Sequence, residues 1–181
     1  MPWFNSAPPH DPLAVTMTGV KLGDRLLVIG CGQAKLVAQL ALKPGLTGRA
    51  CAVDENAAMS TRAAEAALRE GALLESETAP YTNLPHNDSA FDIVVLNHTL
   101  GEILPRERRT AVLTEARRVL RDGGRCVAIE PSRRGMLASL VGRPAPDTGD
   151  LEGALATAGF RAVRTLAERE GMAFIEGARR R

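Results

Sequence analysis

The chain has 181 residues, of which 45% are hydrophobic and 24% are charged, and its formal net charge is +2. These ordinary globular values exclude a disordered or fibrous chain. Aromatic residues make up only 3% of the sequence. The core must therefore be built from Leu, Val, Ile and Ala, which favours parallel strands covered by helices over an antiparallel sandwich.

The charge pattern gives no sign of a nucleic-acid partner. Arg-Arg pairs, Arg108-Arg109 among them, have no interleaved aromatic residues that would stack bases. Acidic residues are spread among the basic ones, so we expect these pairs to lie on solvated helix faces.

No targeting, membrane or metal signal is present in the sequence. The start of the chain lacks the basic and apolar stretches of a signal peptide, and nowhere do 18 apolar residues run together. Cys31, Cys51 and Cys126 are widely spaced and lack a ligand pattern. We expect a cytoplasmic protein with free thiols, no integral membrane segment and no metal site.

Apolar runs and glycine punctuation predict alternating strands and helices along the chain. Residues 1–20 are expected to form a Pro-rich arm with a short helix at 12–20, and residues 21–181 a single Rossmann-like domain. The pattern predicts strands at 25–29, 50–53, 73–77, 91–97, 125–130, 161–166 and 172–176, and helices at 35–42, 57–70, 106–120 and 151–158.

Strands that alternate with helices favour the α/β class with right-handed crossovers. We expect a three-layer α/β/α sandwich whose seven-stranded sheet is mostly parallel, with an antiparallel strand near the C-terminus. Ligands of such sheets bind outside the carboxyl ends of the strands. Residues that directly follow each strand are therefore the functional candidates.

A glycine turn, Gly30-Cys31-Gly32, follows the first predicted strand. Glycines let the backbone pass close to a ligand, and the helix that follows offers free N–H groups. Lys35 occupies the position of the third glycine of a dinucleotide fingerprint, which disfavours pyrophosphate binding. Asp54 ends the next strand, where a carboxylate can accept hydrogen bonds from both ribose hydroxyls.

With these motifs the chain resembles the class I S-adenosylmethionine-dependent methyltransferases, especially those that act on small molecules and quinone-type lipids. Residues 27–32 are similar to the first motif of the family, and 52–54 to its ribose-binding acidic motif. Residues 84–94 and 118–125 match the segments before the fourth and fifth strands. The resemblance implies S-adenosylmethionine as cofactor and a small-molecule or lipid-like acceptor.

The resemblance also assigns roles to individual residues. Near the adenine ring the family's usual acidic residue is replaced by Pro80, and a backbone N–H of Tyr81 or Thr82 would serve the ring instead. The resemblance places His98 near the transferred methyl group as a candidate general base. An equally good explanation is that His98 has no catalytic role and is either hydrogen-bonded within the fold or exposed to solvent. The cofactor-binding candidates are Gly30, Cys31, Gly32, Asp54, Glu55, Tyr81 and Asn97.

Two further hypotheses remain open from the sequence. Val28 and Pro80 stand where the family usually has acidic residues, and about twenty residues join Glu130 to Leu151, too few for a roof over the pocket. A methyltransferase-like protein without turnover, acting as a cofactor-binding or regulatory subunit, would fit these departures. A nucleotide-dependent oxidoreductase is weakened by Lys35.

The cover of the pocket is also open from the sequence. The N-terminal arm, a second copy in a homodimer or a partner subunit would close the site. Residues 132–141 put basic residues beside an apolar stretch. An ordinary lid or oligomer contact is favoured there over a lipid surface.

Overall fold

The computed structural model describes residues 12–101, 103, 106–132 and 151–180. The predicted arm at 1–11, Glu102 and most of the segment at 132–141 lie outside these residues. The described helices are α1 (Leu13–Thr18), α2 (Ala34–Ala41), α3 (Ala57–Glu70), α4 (Arg106–Val119) and α5 (Leu151–Thr157), with a 3₁₀ turn at Gly45–Thr47. The strands are β1 (Arg25–Ile29), β2 (Arg49–Asp54), β3 (Glu75–Thr78), β4 (Phe91–Asn97), β5 (Leu120–Pro131), β6 (Arg161–Arg169) and β7 (Met172–Ala178).

The seven strands form one sheet in the order β3-β2-β1-β4-β5-β7-β6. The first five are parallel, and β7 runs antiparallel to both of its neighbours. The predicted sheet, with its antiparallel strand near the C-terminus, is confirmed. After β3 the chain returns past β1 to form β4, so the order reverses between β1 and β4, where a crevice opens at the carboxyl ends.

The core consists of one apolar layer on each face of the sheet. Alternate residues of β1 contribute to different layers, because successive side chains of a strand point to opposite faces of the sheet. Leu27 and Ile29 pack with residues of α4 and α5, whereas Leu26 and Val28 pack with residues of α1, α2 and α3. The three-layer arrangement therefore follows from strands that are apolar on both sides.

Two strands begin two or more residues away from their predicted starts. β3 begins at Glu75 rather than residue 73, and Leu73 is 73% exposed, so the apolar start of that run does not enter the sheet. β5 begins at Leu120, because Leu120 pairs with Phe91 before the register shifts at the 122–124 turn. Among the described residues, no helix has the length and apolar character needed to span a membrane.

Candidate functional site

Gly30 forms the tight turn between β1 and α2. Its φ is +94°, a backbone conformation that residues other than glycine rarely adopt. Its N–H donates to the carbonyl of Val53 at 2.9 Å. A Cβ atom at this position would lie 2.6 Å from the carbonyl oxygen of Asn97 and 2.5 Å from Oγ1 of Thr99. Gly30 is thus required by contacts inside the protein.

Gly32 has a different environment. It is exposed, and a Cβ atom there would meet no atom of the described residues within 4 Å. No internal contact therefore demands glycine at this position. The small residue instead leaves the space above the turn free, which is what a ligand that lies against the backbone needs.

Asp54 ends β2 and holds the glycine turn. Its side chain is nearly buried, and Oδ2 accepts the N–H of Cys31 at 2.6 Å while Oδ1 accepts the N–H of Asn56 at 2.8 Å. The two parts of the chain that the sequence singled out, the turn and the carboxylate, therefore lie in direct contact. The Tyr81 hydroxyl also hydrogen-bonds to this carboxylate, which still keeps acceptor capacity for a ligand hydroxyl.

A cavity of about 600 Å³ opens above this contact at the carboxyl ends of β1, β2 and β4. Of the predicted site residues, only Cys31 is not on its wall. The Cys31 side chain is buried, and burial together with the Asp54 carboxylate raises the pKa of the thiol to about 12. The lining residues are Gly30, Gly32, Gln33, Asp54, Glu55, Met59, Tyr81, Asn97, His98, Thr99, Ile103 and Arg108.

An ion pair between Glu55 and Arg108 forms one side of the cavity. Nη2 of Arg108 lies 2.5 Å and 2.6 Å from the two carboxylate oxygens of Glu55, and the N–H of Tyr81 donates to Glu55 at 3.0 Å. Burial alone would raise the pKa of Glu55, but the hydrogen bonds from Arg108 and Tyr81 lower it overall. Glu55 is therefore ionised at neutral pH.

The Arg-Arg pair on α4 corrects one prediction. Arg109 is 4% exposed and donates from Nε to the carbonyl of Ile103 at 2.9 Å. The expectation of a solvated helix face is therefore wrong for Arg109, and Arg108 faces the cavity. Sequence periodicity gave no signal for either role, because their partners lie in a loop and at the end of another strand.

Tyr81 also lines the cavity, and its hydroxyl hydrogen-bonds to the carboxylate of Asp54. Burial, followed by the neighbouring Asp54 carboxylate, raises the pKa of its phenol well above the ordinary value. The hydroxyl therefore stays protonated and is a hydrogen-bond donor at any physiological pH.

His98 directly follows β4 and has a positive φ of 52°, an uncommon conformation for a residue with a side chain. Its N–H donates to the carbonyl of Ile129 at 2.8 Å. Nε2 of Gln33 lies 2.8 Å from Nε2 of His98. Because an amide nitrogen only donates, the imidazole accepts at Nε2. The sequence offered no partner for His98, and Gln33, placed just after the glycine turn, supplies one.

Glu130, near the end of β5, fixes the loop that carries His98. Its side chain is fully buried, and its carboxylate accepts the N–H groups of Thr99, Leu100 and Gly101 at 2.8, 2.7 and 3.1 Å. Three charge-assisted hydrogen bonds hold this turn against the sheet. The sequence predicts Glu130 only as the end of a strand, because nothing near it in the chain indicates the three N–H groups that it accepts.

Comparison with known proteins identifies similar chains. The model of the family described as "Methyltransferase domain" matches residues 27–128. The ubiquinone/menaquinone biosynthesis C-methyltransferase UbiE of Chromobacterium violaceum is 33% identical over 119 residues, which are 66% of this chain and 48% of that protein. The probable methyltransferase ltbC of Aspergillus luteorubrus is 33% identical over 112 residues, 58% of this chain and 39% of that protein. The chain thus spans about half, or less, of the length of these relatives.

A solved structure supports the fold. An S-adenosylmethionine-dependent methyltransferase from Aquifex aeolicus aligns with a TM-score of 0.76 at 20% identity, over 90% of this chain and 86% of that one. The likeness extends over most of the chain and supports the fold described above.

Proposed function

The chain belongs to the S-adenosylmethionine-dependent methyltransferases, and we propose that it transfers the methyl group of this cofactor to a small, lipophilic acceptor. One observation carries the proposal. Gly30, Gly32 and Asp54 line one cavity of about 600 Å³, and Asp54 accepts the N–H of Cys31 at 2.6 Å, which supports a single ligand held by both the glycine turn and the carboxylate.

The residues of the cavity fit the proposed cofactor. Asp54 offers acceptors for the ribose hydroxyls, and Gly32 leaves room beside the backbone. The N–H of Tyr81 donates to the carboxylate of Glu55 at 3.0 Å, and we propose that the edge of the base inserts between this donor and this acceptor. Adenine carries the complementary pair on its N1 and exocyclic amine edge. We therefore place the base beside Tyr81 and the sugar at Asp54.

S-adenosylmethionine, when bound, supplies an electrophilic methyl group on a sulfonium whose leaving group is a neutral thioether. Positioning of the acceptor then provides most of the rate enhancement. Gly30 and Asn97 form the wall on the β4 side of the turn, and Ile103 contributes apolar surface. The cavity thus offers an apolar side for an acceptor ring next to its polar floor.

His98 is the proposed general base. Its imidazole accepts at Nε2 from Gln33, a position that the hydroxyl or acidic C–H of an acceptor would take when it displaces the amide. The acceptor atom would take the methyl group as the neutral thioether leaves. The proton lost by the acceptor passes to His98 and from there to water.

A quinol-type ring is the acceptor class we propose. The relative from Chromobacterium violaceum is named a ubiquinone/menaquinone C-methyltransferase, and a hydroxylated aromatic ring matches a base beside an apolar wall. Incubation of the protein with methyl-labelled S-adenosylmethionine and a panel of reduced quinones and phenols tests this class. Transfer of the label to an acceptor by the wild type supports this class. Loss of that transfer in His98→Ala supports the role of His98.

Calorimetric titration with S-adenosylmethionine, S-adenosylhomocysteine and NAD tests the proposed cofactor. Micromolar binding of the first two and none of NAD is expected. Binding of S-adenosylhomocysteine without transfer to any acceptor would favour a cofactor-binding subunit without turnover. Failure of both adenosyl ligands to bind would overturn the proposed function.

A further inference from the structure

The side chains of Gln33 and His98 meet across the cavity. Gln33 is the N-cap residue of α2, yet its side chain makes no capping hydrogen bond. Its Nε2 instead lies 2.8 Å from Nε2 of His98, and both residues line the cavity. Residues that cap helices are usually Ser, Thr, Asp or Asn, whose short side chains reach the N–H groups of the first turn. The longer amide of Gln33 therefore interacts with the cavity wall rather than with the helix.

The two partners of this contact differ in their freedom to move. The backbone N–H of His98 donates to the carbonyl of Ile129, and the buried carboxylate of Glu130 holds the three residues that follow His98. Gln33 is exposed, and its long side chain can rotate. A ligand atom that enters between the two nitrogen atoms would therefore displace the amide and leave the imidazole in place.

The two nitrogen atoms require opposite properties of the atom that enters between them. Nε2 of His98 accepts a hydrogen bond, whereas Nε2 of Gln33 donates one. The entering atom must therefore carry both a hydrogen and a lone pair. A hydroxyl oxygen has both, whereas an ether or carbonyl oxygen lacks the hydrogen and an ammonium group lacks the lone pair.

The surrounding charges would oppose an anion at this point more than they would stabilise it. Glu55 is paired with Arg108, and the Asp54 carboxylate disfavours a second negative charge nearby. Gln33 brings an N–H donor without adding charge. The charged and titratable groups that line the cavity, or lie directly behind its wall, are Cys31, Asp54, Glu55, Tyr81, Arg108 and Glu130.

We propose that Gln33 and His98 form a clamp for a hydroxyl group of the methyl acceptor, in which the amide of Gln33 stabilises the oxyanion. The inference rests on the proposed function and names the group that the site recognises. The hydroxyl proton passes to Nε2 of His98 and the electron pair of the O–H bond stays on the oxygen. The Nε2–H of Gln33 then donates to that oxygen.

A chromogenic phenol tests the clamp without turnover. The probe is para-nitrophenol, whose phenolate absorbs visible light and whose neutral form does not. It is titrated with pH in the presence of protein saturated with S-adenosylhomocysteine. Gln33→Met keeps the length of the side chain but removes the donor. Loss of a hydrogen bond to a charged group predicts that the pKa of the bound probe is about one unit higher in Gln33→Met than in the wild type.

Two further variants control for indirect effects. Gln39 lies on the same helix but not on the cavity wall, so Gln39→Met makes the same chemical change and should leave the pKa of the bound probe as in the wild type. Gln33→Glu replaces the donor by a carboxylate and should raise that pKa at least as much as Gln33→Met does. Binding of S-adenosylhomocysteine to each variant shows that the site is intact.

A methylated probe tests the need for a proton. In para-nitroanisole the oxygen has no hydrogen for His98, so its affinities for the wild type and for Gln33→Met should agree within about threefold. A larger loss of this ether in Gln33→Met would show that Gln33 recognises the ring rather than a hydroxyl group.

The outcomes separate the clamp from the proposed function. The clamp is overturned, while the cofactor proposal stands, if the bound probe has the same pKa in the wild type and in Gln33→Met. An equal shift in Gln39→Met, or no binding of millimolar para-nitrophenol to the wild-type complex, would have the same consequence. Failure of the wild type to bind S-adenosylhomocysteine would overturn both proposals.

Discussion

The carboxylate of Asp54 accepts a hydrogen bond from the backbone N–H of Cys31 at 2.6 Å. This contact joins the end of β2 to the turn that follows β1. It positions the acceptor oxygens of Asp54 and the free space above Gly32 on the same cavity. The carboxylate therefore has a structural role in the turn in addition to its proposed role at the ribose.

The dual role determines what substitution of Asp54 should do. Asp54→Ala leaves the N–H groups of Cys31 and Asn56 without acceptors, so we expect the free energy of unfolding to fall by about 2 kcal/mol. Loss of the ribose contacts should also lower the affinity for S-adenosylhomocysteine by roughly 30-fold or more. Urea unfolding and calorimetry measure the two effects.

Asp54→Asn separates these effects, because its amide oxygen still accepts one N–H group. It should recover part of the stability but little of the affinity. Full affinity in Asp54→Asn would argue against a charge-assisted contact to the ligand.

The two glycines of the turn should respond differently to alanine. Gly30→Ala places a Cβ against the carbonyl of Asn97 at a positive φ, so we expect a stability loss of at least about 2 kcal/mol. Gly32→Ala meets open space, so its unfolding midpoint should stay near that of the wild type while cofactor affinity falls. Wild-type affinity in a folded Gly32→Ala would show that no ligand approaches the turn there.

The sequence predicted the mostly parallel sheet with its antiparallel C-terminal strand and the elements that carry the candidate site, but not the contacts between them. The apolar run of β4 and the glycine at position 30 are local patterns, so both can be recognised in the sequence alone. Gln33, Arg108 and Glu130 act through partners that are tens of residues away in sequence. Their roles depend on the strand register, which no local pattern encodes.

The same limit explains the two misplaced strand starts. Leu73 has the apolar character of a strand residue, yet it lies beyond the edge of the pairing with β2 and stays exposed. At Leu120 the glycine turn suggested a break between helix and strand. Instead, β5 continues through the turn, because Leu120 pairs with Phe91 and Arg125 pairs with Ile93 across a register shift.

Glu130 should be a major contributor to the stability of the loop after β4. Glu130→Ala removes the acceptor of three backbone N–H groups in a buried site, and we expect a loss of about 3 kcal/mol in the free energy of unfolding. The exposed Glu107 on α4 is the matched control, because Glu107→Ala should change stability by less than about 0.5 kcal/mol. Equal effects in the two variants would contradict the role of Glu130.

Asp92 predicts a pH dependence of stability. Burial would raise the pKa of this carboxyl, but hydrogen bonds from the side chains of Arg25 and Arg121 and from the N–H of Arg25 outweigh it and hold the pKa well below its ordinary value. A carboxyl whose pKa is lowered by folding stabilises the native state above its unfolded pKa of about 4. That stabilisation is lost as the pH falls through the lower, folded value.

Asp92→Asn should therefore be less stable than the wild type by about 1 to 2 kcal/mol from pH 7 down to pH 5. The difference should shrink below about pH 4, where the wild-type carboxyl begins to lose its advantage. Asp88→Asn is the control. The Asp88 side chain is 75% exposed in its ion pair with Arg118, and exposed ion pairs contribute little to stability. Urea unfolding of both variants across this pH range measures the effect, and a deficit in Asp92→Asn that persists unchanged at pH 3 would show that the lost contacts do not depend on its charge.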